Sequence, residues 1–280
     1  MSKKRYENIK DFEKKAILIE MTKTYELVEF PPEEYKNYID ENTGDIKTGL
    51  SNFFEEVVDG PCEFKWPYFK DYYTGEKKPL GFLAQLDMSL VSKYDESGLL
   101  PKTGYLYFFI DFDYPGGYEA GDNGYGKVLY YDVDKSDLTR KTNEYIEAGY
   151  EKDYVEVSRV LKFSKIDDYP TEPQFVDKEI YMSYDVFEEL DYRLNCGKNP
   201  NYLKWNPRKE NETAKLLGYE EYLQFSEIKT CEEIYEKLYG ETGGEWLVLL
   251  QCRNYFYYIK KEDLINRRFN RVWVMSPCFD

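Results

Sequence analysis

Phe82-Leu83-Ala84-Gln85-Leu86, followed by Tyr105-Leu106-Tyr107-Phe108-Phe109 and then by Lys127-Val128-Leu129-Tyr130-Tyr131, decides how this chain is read. Near the C-terminal end the order returns as Val248-Leu249-Leu250-Gln251-Cys252, Tyr255-Phe256-Tyr257-Tyr258-Ile259 and Arg271-Val272-Trp273-Val274-Met275. Each set is an apolar run holding a glutamine, an aromatic run, and a third run opened by a basic residue. Short runs of apolar and aromatic residues between turn formers read as strands, and their return in the same order implies an internal duplication. The expected fold is α+β: mainly antiparallel sheet, with a duplicated strand set and a few covering helices. Residues 1–280 are expected to form a single domain with pseudo-repeat halves at 60–165 and 166–280, because the second set has lost most of the loop between its first two runs.

Outward from these sets, further strands are expected at 16–21, 25–30 and 153–165. Helical spacing through Val186, Phe187, Leu190 and Leu194 predicts a helix over 184–194. Thr230-Cys231-Glu232-Glu233 has the spacing of a capping box, and Ile234, Leu238 and Gly240 complete a helix over 231–239. Both helices are expected to cover the sheets. Residues 31–60 hold eight acids against two lysines and read as a solvated, partly helical excursion.

Three linked segments carry a family resemblance. Trp66-Pro67, Lys78-Pro79-Leu80-Gly81-Phe82-Leu83-Ala84-Gln85-Leu86-Asp87-Met88-Ser89 and Leu99-Leu100-Pro101-Lys102-Thr103-Gly104-Tyr105 resemble the core of the YwqG-like bacterial family of unknown function. Leu216-Leu217-Gly218-Tyr219, Glu262-Asp263-Leu264 and Arg271-Val272-Trp273 fall where that family has similar words, so the resemblance spans roughly residues 60–280. This chain has Val58-Asp59-Gly60-Pro61 where the family has a Gly-Gly-Leu-Pro-like stretch, and Ala214-Lys215 where it often has histidine. The resemblance implies a setting near bacterial toxin systems.

Composition narrows the chemistry. The chain has no histidine, which removes histidine-based triads, the common zinc hydrolase sites and the usual base poised near neutral pH. Its five cysteines are widely spaced with no C-x-x-C pair, so neither a disulfide framework nor a zinc site is expected. A formal charge of −16 disfavours nucleic acid and anionic membrane surfaces and makes a basic protein the natural partner. Mean hydropathy of −0.73 and the lack of a long apolar window place the chain in the cytoplasm, with no membrane span. The 30 tyrosines and 17 phenylalanines fall mostly in apolar runs, which assigns them to strands before binding surfaces.

Gln85 and Gln251 are the candidate ligand-binding residues, with Trp66 and Tyr107 beside them. A glutamine in an apolar strand must satisfy its amide, either across the sheet or with a small polar ligand in a shared cleft. Asp111-Phe112-Asp113 in the glycine-rich loop matches no calcium pattern, and neither a metal nor a cofactor is expected. The leading expectation is a non-enzymatic binding protein for a basic partner, in its specific form the neutralisation of a basic toxin domain. Two alternatives stand beside it: a histidine-free enzyme using carboxylates such as Asp111 and Asp113, and a small polar ligand-binding protein.

Overall fold

The computed structural model describes residues 5–6, 10, 13–23, 53–54, 58–71, 74–112, 116–150, 159–169, 181–182, 213–220, 227–252 and 255–276. One sheet of ten strands organises them. In chain order these are β1 (Lys14–Lys23), β2 (Phe53–Phe54), β3 (Gly81–Asp87), β4 (Tyr105–Ile110) and β5 (Gly126–Tyr131). They continue as β6 (Arg159–Asp168), β7 (Thr213–Leu216), β8 (Trp246–Cys252), β9 (Tyr255–Lys260) and β10 (Trp273–Met275). Their spatial order is β10-β9-β8-β7-β1-β6-β2-β3-β4-β5, and every neighbouring pair is antiparallel. The protein is therefore α+β and mainly antiparallel. Three shorter pairings lie outside this sheet, among them Val58–Gly60 with Thr139–Lys141 and Tyr68–Lys70 with Lys77–Pro79.

The two quoted strand sets are the outer meanders, β3-β4-β5 and β8-β9-β10. Each contains a bulge at the same place. The ladder pairs Phe82 with Phe109 and Ala84 with Phe108, leaving Leu83 as an extra residue, and it pairs Val248 with Tyr258 and Leu250 with Tyr257, leaving Leu249. A bulge bends the strand and increases its twist. It also puts Gln85 opposite Tyr107 and Gln251 opposite Phe256. In this register Tyr107, opposite Gln85, stands where Phe256 stands opposite Gln251, and Lys127, opposite Phe109, stands where Trp273 stands opposite Tyr258. Arg271 stands in the 3-10 turn Phe269–Arg271, so the basic residue before each third run is not an equivalent position. Strand β6 also runs across the expected boundary at 165/166.

The sheet curls until its outer meanders face each other. Phe108 and Tyr257 meet edge to face with ring centroids 5.2 Å apart, and the Tyr257 hydroxyl donates to the Phe109 carbonyl at 3.1 Å. The edge strands β5 and β10 approach where Gly126 lies against the Val274 side chain. Beyond β4, the loop closes onto β10: Ser276 N donates to Gly116 O at 3.0 Å and Trp273 Nε1 to Gly117 O at 2.7 Å. This arrangement covers an edge that would otherwise present unpaired backbone.

Four helices are described: α1 (Met88–Val91), α2 (Glu144–Glu147), α3 (Glu227–Tyr239) and α4 (Lys261–Ile265). Helix α3 buries Cys231, Ile234 and Tyr235 against Trp246, Val248 and Tyr258 on the outer face of β8 and β9. It begins a turn before the capping box at Thr230, because Ile228 also packs on this cluster and extends the apolar stripe backward. The expected helix at 184–194, the strand at 25–30, the first part of the strand at 153–165 and most of the acidic stretch at 31–60 lie outside the described residues.

Glycine is required where the loop meets β10. Gly117 has φ +98°, and a Cβ there would stand 2.1 Å from Val274 O, whereas Gly75 at φ +73° has nothing within 4 Å. Gly117→Ala is expected to destabilise by roughly 3 kcal/mol or more through backbone strain and steric clash together, and Gly75→Ala by about 1 kcal/mol through strain alone. Urea unfolding of the two variants checks the ranking, and equal losses would contradict the close approach.

Candidate functional site

The strand Val58–Gly60 lies over the outer face of β3 and β4, and there the sheet's side chains take the place of a neighbouring strand. Gln85 Oε1 accepts the Asp59 N–H at 3.0 Å, and the Tyr107 hydroxyl donates to the Asp59 carbonyl at 2.8 Å. Both main-chain groups of a buried residue are satisfied in this way. The Asp59 carboxylate is itself fully buried and accepts from Arg140 Nε at 2.6 Å, while the Arg140 side chain stays 32% exposed. Arg140 is the register partner of Asp59 in the pairing with Thr139–Lys141, which sets the ion pair directly across a two-stranded ladder.

Aromatic rings seal the cluster. Phe64 packs edge on to Tyr107 at 5.2 Å and to Trp66 at 6.4 Å, and Trp66 packs on Phe109 at 5.2 Å. Gly60 makes room for Phe64, since a Cβ there would meet that ring at 2.6 Å. Trp66 Nε1 donates to Leu80 O at 2.8 Å, so its polar edge is used within the fold. Gln85, Tyr107 and Trp66 are thus brought together around Asp59 and Phe64. Gln85 Nε2 is buried and has no hydrogen-bond partner among the described residues.

Gln251 lies in the other meander, with Lys215 and Phe256 as its register partners. It is buried, as Gln85 is. Beside it, Lys215 Nζ donates to Asp168 Oδ2 at 2.9 Å, and Tyr219 N donates to the same oxygen at 2.7 Å. This contact explains Leu216-Leu217-Gly218-Tyr219. Leu217 and Gly218 both have positive φ, and a Cβ on Gly218 would stand 2.4 Å from Asp168 Oδ2.

The other acidic words have comparable roles. Asp263 receives the Tyr235 hydroxyl and pairs with Arg268 Nε at 2.6 Å and Arg271 at 3.4 Å, which ties α4 to α3 and to the turn before β10. Asp122 Oδ2 accepts the N–H groups of Gly117, Tyr118 and Glu119 and orders the glycine-rich loop. Asp111, the carboxylate put forward for the enzyme alternative, is buried and pairs with Lys78 Nζ at 2.7 Å, and Asp113 lies outside the described residues. Among the described residues no group of three cysteines or acids is placed to hold a metal ion. Asp59 and Arg140 were not singled out from the sequence. The available signal was an aspartate enclosed by Val58 and Gly60 just before the aromatic run, a charge that must find a partner if the strand is buried.

Replacing Gln85 with Leu removes the acceptor for the Asp59 N–H and is expected to cost about 1–3 kcal/mol. Arg140→Ala leaves the Asp59 carboxylate buried beside a partner lost to solvent and is expected to cost about 2–4 kcal/mol. Chemical denaturation of both variants and of the double variant checks this, and strict additivity would contradict a shared cluster.

Burial also sets an alkaline limit. It pushes the Tyr105 hydroxyl up to about 12, helped by the charges of Asp87 and Asp134, and pushes Tyr107, Tyr125 and Tyr257 further up. In the unfolded chain these phenols ionise near their ordinary value of about 10. Their stabilisation is therefore complete below about pH 10 and is lost as pH rises toward and past 12. Tyrosinate absorbance and circular dichroism should change together in this window. Ionisation of the buried tyrosines with the fold intact would contradict it.

A search of the curated proteins finds no match to this sequence. A family model does match, over residues 58–278, from the strand that carries Asp59 to just beyond β10. By that match, which covers both meanders and the polar cluster around Asp59, the chain belongs to the DUF1963 family, a domain of unknown function.

Proposed function

We propose that this protein is a non-enzymatic binding protein for a basic protein partner. Its specific form, as a YwqG-like bacterial protein of the cytoplasm, is the neutralisation of a basic toxin domain. The observation that supports the reading is how the charges are distributed. Four acids set into the fold pair with cations of the chain: Asp59 with Arg140, Asp111 with Lys78, Asp168 with Lys215, and Asp263 with Arg268. Each pair cancels one charge of each sign, so the excess of 54 acids over 38 bases remains with acids outside these pairs. On α3, Glu232, Glu233 and Glu236 all face solvent. Such a field steers basic partners and accelerates their encounter, and salt weakens it. Among the described residues no helix is long and apolar enough to cross a membrane.

A second reading, a site for a small polar ligand beside Gln85, is favoured by the buried amide nitrogen that has no partner among the described residues. It requires Gln85→Leu to abolish saturable binding of a small ligand at temperatures where the variant is folded.

The immobilised full-length protein, exposed to extract of its native cell, is expected to retain a basic protein in stoichiometric amount and to release it as salt rises. Glu232→Lys, Glu233→Lys and Glu236→Lys combined should slow association with that protein by about tenfold or more while changing dissociation less. Retention of no basic protein, or binding indifferent to salt, would overturn the reading.

A further inference from the structure

We draw no further inference here: the strongest candidate, the buried Lys260 ammonium and Trp246 indole N–H where the glycine-rich loop 240–245 joins α3 to β8, carries nothing because the ammonium already lies over the Tyr235 ring and nothing in the structure shows an acceptor that both donors face.

Discussion

Every other strand of the large sheet is placed by the ladder between β1 and β6, ten residue pairs running from Lys14 opposite Asp168 to Lys23 opposite Arg159. A strand has two edges, and these two spend one each on their partner. The remaining edge of β1 takes β7, and the remaining edge of β6 takes β2. From there each side continues through one meander, so the strand order reads alike in both directions from the central ladder. The long strands also cross over: β1 precedes β2–β5 in the chain yet lies next to β7, while β6 precedes β7–β10 and lies next to β2. Neither meander is attached to the centre by its sequence neighbour alone.

With the centre fixed, the curl of the sheet determines what becomes interior. Twist accumulates across ten strands, and the bulges at Leu83 and Leu249 add to it. The inner faces of β4 and β9 therefore meet at Phe108 and Tyr257. Their outer faces need separate covers. Helix α3 covers β8 and β9, and the aromatic segment around Phe64 and Trp66 covers β3 and β4. The tyrosine excess follows from this geometry, because a phenol can lie in an apolar layer and still reach a carbonyl or carboxylate at its edge. Tyr107, Tyr235 and Tyr257 each do so.

Among the described residues, several polar groups of this core replace something backbone would otherwise supply, or cancel another charge. Gln85 and Tyr107 serve as a partner strand for Asp59, Asp122 gathers three successive N–H groups, and Asp168 caps the left-handed turn at Leu217 and Gly218. Asp59, Asp111 and Asp263 cancel against cations, whereas buried Asp87, Asp122 and Glu220 are held by N–H and hydroxyl donors.

The two strand sets, the α+β class and the helix at the second set were legible in the sequence, because alternation and aromatic runs report local burial directly. Gln85 and Gln251 were legible as polar residues that need partners. The partner itself was not: Asp59 stands 26 positions from Gln85, and Arg140 stands 81 from Asp59. The register of the second and third runs was not legible either, because a bulge adds a residue without leaving a mark in composition, and a slip of one residue turns every side chain to the other face. Sequence alone determined which segments become strands, how acidic the molecule is and which catalytic chemistries lack their residues. Tertiary structure decided which long strand crosses to which meander and which charges cancel in the interior, because those outcomes depend on pairings between residues far apart in the chain.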